Sequence, residues 1–388
     1  MSSGLRSDGT EPQLRVGLLG LGTVGRAVAE ALSDAGWRGG VHVRGGRALE
    51  LVAVGVRDPG RFRGSGLPAS VEVSSDLDAV VARPDLDVVV ELLGGLDPAE
   101  RLLRSALEHG RAVVTANKAL LAARGASLER LARQTGAPLR FEAAVGGGIP
   151  ILTPLVRDLA ATHIRAVGGI VNGTTNHILT AMTRDGVAYA DALAEAQGQG
   201  LAEADPSADV EGMDAAAKLV ILARLAFGAW LDPETIPRAL PAGEGTAPGV
   251  TGVTPSAIAA AAERGLVVKL VARAEQSAEG TVNAWVAPVA VAPSSPLGAT
   301  NGVTNIIEVE ADRVGRLWFR GPGAGGPATS SAVLADLLAL ARGEGATWAA
   351  LPEAKSGAVS AGGWTGRWLD VETDSGRSRY PLLEEPAA

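Results

Sequence analysis

The stretch Leu14-Arg15-Val16-Gly17-Leu18-Leu19-Gly20-Leu21-Gly22-Thr23-Val24-Gly25-Arg26-Ala27-Val28 decides the fold. Leu14–Leu19 is a short apolar run that ends at a glycine, the pattern of a strand buried on both faces. Over residues 24–35 apolar side chains recur at helical spacing, at Val24, Ala27, Val28, Ala31 and Leu32. Three glycines in a Gly-x-Gly-x-x-Gly spacing join the two. In that order, Gly20 permits a tight turn, Gly22 lets the backbone approach a pyrophosphate, and Gly25 allows the helix to pack closely on the strand. The helix start, with Thr23 and Val24 in its first turn, adds unpaired N–H groups and the positive end of the helix dipole. This reads as a dinucleotide-binding loop. A glycine-rich turn with no ligand is the alternative that the motif alone leaves open.

Outward from this loop the chain alternates. Residues 50–56, 86–92, 112–115 and 139–143 read as strands. Asp97 is placed to cap a helix with Pro98 in its first turn, running to His109 and stopped by Gly110. Residues 128–135 read as a further helix, and the Gly- and Arg-rich stretch 38–47 as a loop. Strands alternating with helices at this interval predict an α/β fold, a Rossmann-type parallel sheet. After Pro150 the pattern changes. Strands are expected over 164–170, 266–274 and 282–291, the last at an edge or a bulge because of Pro288. Helices are expected over 175–184, 191–197, 213–229 and 256–262, giving an α+β domain with a mixed sheet. A Gly/Pro-rich joint over 321–327 precedes an apolar helix over 328–342 that returns to the first domain. The expected organisation is a disordered tail over 1–13, a dinucleotide-binding domain over 14–148 plus 321–345, a second domain over 149–320, and an extension over 346–388.

The 388 residues fit two domains, and 46% apolar with 20% charged residues is ordinary globular composition. A net charge of -8 argues against a nucleic-acid-binding surface, which needs clustered Lys and Arg. The absence of cysteine excludes disulfides, thiol nucleophiles, Fe–S clusters and thiolate zinc sites, and fits a cytoplasmic protein. Four scattered His make a His-rich metal site a poor expectation. The most apolar stretch, 215–231, is interrupted by Lys218 and Arg224 and is shorter than the ~20 residues a membrane span needs, so a buried helix is expected there. Residues 1–13 lack the apolar core of a signal peptide.

The end of the second strand should select the nucleotide. An acidic residue there takes a ribose hydroxyl, and an arginine accommodates a 2′-phosphate. Val56-Arg57-Asp58 offers both, with Arg61 and Arg63 nearby. The guanidinium cluster favours NADP over NAD. A solvated surface loop is the alternative.

The segment Gly198-Gln199-Gly200-Leu201-Ala202-Glu203-Ala204-Asp205-Pro206-Ser207-Ala208-Asp209-Val210-Glu211-Gly212-Met213-Asp214-Ala215-Ala216-Ala217-Lys218 crowds acids and a lysine beside an apolar helix. Asp214 and Lys218 stand four apart and share a helix face, while Glu203, Asp205 and Asp209 lie on the preceding loop. A capped helix with a surface ion pair is the plain reading, worth a few tenths of a kcal/mol.

At this segment the sequence resembles the homoserine dehydrogenase family, whose signature is met by Ala196, Gly200, Leu201, Ala202, Asp205, Pro206, Asp209, Gly212, Asp214 and Lys218. Similar segments follow the family's order: Thr115-Ala116-Asn117-Lys118, Glu142-Ala143-Ala144-Val145-Gly146-Gly147-Gly148-Ile149-Pro150, Gly169-Ile170-Val171-Asn172-Gly173-Thr174-Thr175-Asn176 and Gly302-Val303-Thr304-Asn305. The resemblance spans about residues 14–342. It implies interconversion of L-homoserine and L-aspartate 4-semialdehyde with a nicotinamide cofactor, in threonine, methionine and isoleucine biosynthesis. It also implies that Lys218 is the acid/base, and that Lys118 positions cofactor and substrate. Glu203 and Asp214 would hold the substrate ammonium, Asp209 would orient Lys218, and Gly173 and Thr174 would line the pocket. Thr115 and Gly302 would join Gly20, Gly22, Thr23, Val24, Gly25 and Arg57 at the cofactor. Lys118 as a surface lysine at a helix start, with Asn117 as its cap, stays open beside this. Glu142, Val145, Gly147 and Ile149 resemble the family's site for a monovalent cation, sodium, with a carboxylate from Glu142 and backbone carbonyls from the others. A glycine-rich hinge fits the same residues. A homodimer through the second domain's sheet is implied. His177 departs from the aromatic residue more often found there.

Residues 343–388 are too few for the βαββαβ regulatory domain of roughly 70–80 residues that family members often carry. Residues 368–373 and 377–382 read as a hairpin around Asp374-Ser375-Gly376, with Trp364 and Trp368 docking on the body or on a partner subunit. The rival readings are another amino-acid-linked Rossmann oxidoreductase, such as an aspartate or saccharopine-type dehydrogenase, and a catalytically silent nucleotide sensor.

Overall fold

The computed structural model describes residues 13–45, 47–62, 66–239, 247–354, 359–360, 364, 366–373 and 376–383. All but Gln13 of the expected tail, Arg63, and Asp374 and Ser375 of the expected turn lie outside them. The described residues form two units, one within Met1–Val156 and Ala324–Glu353, the other within Arg157–Gly323 and Ala354–Ala388.

The first unit runs β1 (Leu14–Leu19), α1 (Thr23–Ser33), α2 (Ala35–Gly45), β2 (Leu49–Gly55), β3 (Glu72–Ser74), α3 (Leu77–Ala82), β4 (Val88–Glu91), α4 (Ala99–Glu108), β5 (Ala112–Thr115), α5 (Lys118–Thr135), β6 (Leu139–Arg140) and α6 (Leu152–Val156), and is completed by the helix Gly326–Ala341. The strands are parallel in the order β3-β2-β1-β4-β5-β6. Strand order reverses between β1 and β4, and the crevice beyond the carboxyl ends of these strands is where such sheets bind ligands. Val28 and Leu32 of α1 join Val16, Leu18, Val54 and Val90 of the sheet and Val333, Leu337 and Leu340 of the returning helix in one core. Each such side chain contributes roughly 1.5–3 kcal/mol by leaving water.

Two expectations here are corrected. Residues 38–47 are largely helical, as part of α2, not a loop. Glycine costs ~1 kcal/mol in a helix interior, but the Asp34 carboxylate accepts from the Trp37 N–H at 2.7 Å and Trp37 packs against the core, which offsets it. At α4, Asp97 is not the cap: the helix starts after Pro98 without a side-chain cap, and the Glu100 N–H is satisfied by the Leu96 carbonyl at 2.8 Å.

The second unit contains β7 (Ile164–Ile170), α7 (Gly173–Asp185), α8 (Tyr189–Gly198), α9 (Ser207–Val210), α10 (Met213–Phe227), α11 (Pro255–Glu263), β8 (Val267–Gln276), β9 (Val282–Val291), β10 (Thr304–Ala311), β11 (Gly315–Pro322), β12 (Val359–Ser360), β13 (Trp368–Thr373) and β14 (Gly376–Leu383). Its mixed sheet has the order β11-β10-β7-β8-β9-β14-β13, with β12 also beside β9. β9 is bordered by β8 along its length, but on its other side β12 reaches only Val282 and Asn283 and β14 only Ala290 and Val291. Pro288 falls in the gap, where no ladder needs its missing N–H. β13 and β14 form the expected antiparallel hairpin, and Trp364 meets Trp285 edge-on with ring centroids 5.7 Å apart. Trp364 and Trp368 pack against a cluster that includes Ile170, Trp285 and Ile306. Among the described residues, no helix is long and apolar enough to cross a membrane.

Candidate active site

In the first unit, the glycine loop connects β1 to α1. Gly20 has φ +98° and lies so close to β4's exit that a Cβ would stand 2.7 Å from the Leu92 carbonyl. A Cβ on Gly25 would stand 2.0 Å from the Gly20 carbonyl, so the helix reaches the turn only because that position has no side chain. Around Gly22 there is open space. Gly22 is the N-cap of α1, with no capping side chain and no acid in the first turn, which leaves N–H groups for an anion. Arg57, just beyond β2, is exposed. The Asp58 carboxylate beside it accepts from the Gly60 N–H at 3.0 Å.

At the carboxyl ends of β4 and β5 stands a residue the sequence reading did not single out. Glu91 is fully buried and accepts from the N–H groups of Leu93 at 2.8 Å and Gly94 at 3.1 Å, and from the Thr115 hydroxyl at 2.6 Å. Thr115 Oγ1 in turn accepts from the Asn117 N–H at 2.9 Å. Asn117 does cap α5, its Oδ1 accepting from the Leu120 N–H at 3.1 Å, while its Nδ2 donates to the Gly95 carbonyl at 2.7 Å. Lys118, half-buried, opens α5. The Thr115 side chain is therefore committed to building this turn.

Glu142 lies in a short 3₁₀ turn after β6. Its Oε1 accepts from the N–H groups of Ile151 and Leu152, both at 2.8 Å, and its Oε2 from the Thr153 N–H at 2.9 Å and hydroxyl at 2.7 Å. A carboxylate has about four acceptor positions, and these donors fill them. The Glu142 N–H donates to buried Asp336, which also takes Arg140 at 2.8 Å. Burial pushes the Asp336 carboxyl up to about 6, with neighbouring Glu142 adding to the rise and Arg140 opposing it. The turn over 145–149 contains Gly146 at φ +74° and Gly147 at φ +57°. Val145, Gly147 and Ile149 are buried, and among the described residues no hydrogen bond ends on their carbonyls.

In the second unit, Asp214 and Lys218 lie in the first turns of α10, with side chains 6% and 9% exposed. They are not a surface pair. Lys218 Nζ donates to Asp214 Oδ2 at 2.7 Å and to the Val171 carbonyl, at the exit of β7, at 2.6 Å. Asn172 joins the acids: its Nδ2 donates to Asp209 Oδ1 at 2.7 Å and to Asp214 Oδ2 at 2.8 Å. Its Oδ1 caps α7 through the Thr175 N–H at 2.9 Å. Thr174 Oγ1 donates to the Leu201 carbonyl at 2.9 Å, tying α7 to the acidic loop. Glu203, on that loop, is exposed, and Gly173 and Thr174 are half-buried. Asp214, Asp209, Lys218 and the start of α7 are thus brought together, with Asn172 as a link whose part the sequence reading left unassigned. Asn at a helix start three residues before Thr175 was the available signal. No group of three or more His, Asp or Glu side chains suited to a metal ion occurs among the described residues.

Sequence models of two domains match this chain: "Homoserine dehydrogenase, NAD binding domain" over residues 20–142, and "Homoserine dehydrogenase" over residues 150–338. A homoserine dehydrogenase of Synechocystis sp. is 42% identical over 328 residues, 84% of this chain and 72% of that protein.

The chain belongs to the homoserine dehydrogenase family.

A homoserine dehydrogenase from Thiobacillus denitrificans has the same fold at a TM-score of 0.81 and 36% identity, covering 89% of this chain and 79% of that one. A hyperthermophilic archaeal homoserine dehydrogenase, solved in complex with NADPH, aligns at a TM-score of 0.67 and 27% identity, covering 84% of this chain and 97% of that one. The chain is therefore an oxidoreductase with a nucleotide-binding domain of the Rossmann type followed by a catalytic domain.

Proposed function

We propose that this enzyme interconverts L-homoserine and L-aspartate 4-semialdehyde with Lys218 as its acid/base. The observation that carries the reading is the buried Lys218–Asp214 pair, tied through Asn172 to Asp209 in a chain of this family. When bound, the nicotinamide cofactor supplies or takes the hydride at the carbon that bears the oxygen. In the reducing direction the aldehyde oxygen gains negative charge, and the Lys218 ammonium gives it a proton. In the oxidising direction a neutral Lys218 amine takes that proton back. Asp214 holds the Lys218 nitrogen in place at 2.7 Å, and Asp209 supports Asp214 through the Asn172 amide. Asp214 and Glu203 are acceptors for the substrate ammonium, at the helix start bearing Gly173 and Thr174.

The open Gly22 turn and the uncapped start of α1 suit a pyrophosphate, with Thr23 and Val24 supplying N–H groups, and Gly302 is a second contact for the cofactor. Arg57 faces solvent, where a 2′-phosphate is accessible to it, while Asp58 is engaged by Gly60; this favours NADP over NAD. Lys118, on the turn built by Glu91, Thr115 and Asn117, positions cofactor and substrate. The unpaired carbonyls of Val145, Gly147 and Ile149 suit a hard monovalent cation such as sodium. Glu142 would contribute there by ordering the turn, since its carboxylate is already filled. A homodimer through the second unit's sheet is supported by β11, an edge strand among the described residues whose Trp318 is 42% exposed. A cytoplasmic location is part of this reading, and the cysteine-free composition is compatible with it.

One assay tests the activity: NADPH oxidation with L-aspartate 4-semialdehyde, beside pyruvate-type ketoacids and a blank without substrate. Turnover with the semialdehyde alone supports the reading, and turnover only with a ketoacid overturns it.

A further inference from the structure

Lys269, on β8, is 2% exposed, and among the described residues no carboxylate is hydrogen-bonded to it. Its ammonium donates to the Thr300 carbonyl at 2.7 Å, to Asn301 Oδ1 at 2.8 Å and to Asn176 Oδ1 at 3.2 Å. Three donors thus meet three neutral acceptors. Two of these acceptors belong to the loop that enters β10, and the third to α7. The same loop is hung on α7 by three further hydrogen bonds. Asn176 Nδ2 donates to the carbonyls of Thr300 at 3.1 Å and Thr304 at 3.2 Å, and the Gly302 N–H donates to Thr180 Oγ1 at 3.1 Å. Gly302 itself has φ +64°, and a Cβ on it would meet nothing within 4 Å. Its neighbour Val303 presses its carbonyl against the start of α7, where a Cβ on Gly173 would stand 2.8 Å away.

A buried ammonium without an anion is a costly way to fill space. Burial pushes Lys269 down to about 8, a direct sign of that cost. A methionine of similar length would avoid it. What the methionine could not do is hold two carbonyl-type oxygens of one loop and one of a helix at fixed positions.

We propose that Lys269 is a positioning residue for the nicotinamide cofactor: its ammonium clasps residues 300–304 to α7 so that Gly302 is presented in a single geometry. This rests on the reading of Gly302 as a cofactor contact. With the clasp gone, the loop keeps its covalent ends but samples other conformations, and the cofactor must order it on binding. The loss should therefore appear in cofactor affinity and spare the proton-transfer step at Lys218.

The test is direct titration of NADPH fluorescence with wild type, Lys269→Met, Thr180→Val and Thr183→Val, beside kcat and the KM for homoserine. Thr180→Val removes the hydroxyl that holds Gly302 while Lys269 stays in place. Thr183→Val is its control on the same helix, since the Thr183 hydroxyl bonds back to the Leu179 carbonyl and to no part of the loop. The expected result is a Kd for NADPH about tenfold higher in Lys269→Met, the scale of one charge-assisted hydrogen bond. A smaller rise is expected in Thr180→Val and none in Thr183→Val, with kcat within about threefold of wild type throughout. An unchanged Kd in folded Lys269→Met and Thr180→Val overturns the proposal. If Lys269→Met does not fold, Thr180→Val against Thr183→Val decides alone. A rise in the KM for homoserine with no change in Kd means instead that the loop does not face the cofactor, and overturns the reading of Gly302 along with the proposal. Wild type that binds no NADPH refutes the cofactor assignment itself.

Discussion

Replacing Lys218 by methionine separates catalysis from folding, provided its partner is changed as well. The ammonium is held by Asp214 at 2.7 Å and by the Val171 carbonyl at 2.6 Å, in a site where both side chains are under 10% exposed. Removing one member of such a pair leaves a buried charge uncompensated, at a cost of about 3–5 kcal/mol. For a domain of about 200 residues each kcal/mol moves the melting temperature by roughly 2–4 °C, so Lys218→Met alone should melt about 6–20 °C lower. Adding Asp214→Asn removes the orphaned charge and still leaves an acceptor for the Asn172 amide, so the double variant should recover most of that loss. Activity should not recover with it. General acid–base catalysis contributes about 10²–10⁴-fold, and turnover in both variants should fall by that order. The assay is initial-rate nicotinamide absorbance at saturating homoserine, on protein shown to be folded by circular dichroism at the assay temperature. A double variant that is folded and turns over within about tenfold of wild type would refute the assignment of Lys218. A single variant as stable as wild type would refute the buried pair.

Arg57→Ala should raise the KM for NADPH more than that for NADH, because only NADPH brings a 2′-phosphate to the guanidinium; equal losses would make Arg57 a bystander. Glu142→Ala should lower the melting temperature sharply without needing any cation present, since it strands the N–H groups of Ile151, Leu152 and Thr153 at about 1–3 kcal/mol each; a stable variant would show that another group caps them. Lys269 has a native pKa near 8 against 10.5 for the free side chain, so between those values the unfolded chain holds the proton and the native one does not. Raising the pH through that window therefore favours the native state by about 3 kcal/mol, and the stability of wild type relative to Lys269→Met, measured by urea titration, should rise by that much. A flat difference would refute the shift.

How far the sequence could be read depended on where each element's information lay. β1, β5, β7 and β9 have the bounds expected of them because they are predominantly apolar runs, and α10 starts where expected and ends two residues early, at Phe227, because Gly228 stops it. α2 was hidden by its glycines, whose cost is met by Trp37 and Asp34, a tertiary contact and a cap rather than a propensity. β10 was hidden because its inward Glu308 and its neighbour Glu310 look like solvent-facing residues. In the fold, Glu308 is buried against Arg273 at 3.0 Å, a partner 35 positions away. At the site, the acids and lysines were legible as residue types in a spacing. Glu91 and Lys269 were not, because their importance comes from burial among groups of distant segments, which no local pattern encodes; Asn172 was legible only as a helix cap, and its bonds to Asp209 and Asp214, 37 and 42 positions away, were not.

These buried polar residues divide into two kinds, and the division supports the proposal that Asp214 and Lys218 act on substrate. Glu142 and Lys269 fill all their hydrogen-bonding positions with neutral partners drawn from segments that are far apart in sequence or otherwise irregular. Glu91 likewise organises the Leu93–Gly94 turn and Thr115. Such groups have little left for a ligand, and removing any of them strands backbone N–H or C=O groups that no apolar side chain can satisfy. Asp214 and Lys218 differ. They are opposite charges paired with each other, with the Asn172 amide on Asp214 and the Val171 carbonyl on Lys218, a kind of pair that matched uncharged residues often replace without loss of stability. The scaffold therefore does not need Lys218 charged, whereas the proposed proton transfer does. The two variants at Asp214 and Lys218 and the single variant at Glu142 are for this reason complementary: the first pair should separate stability from turnover, and the second should lose stability by releasing the turn it holds.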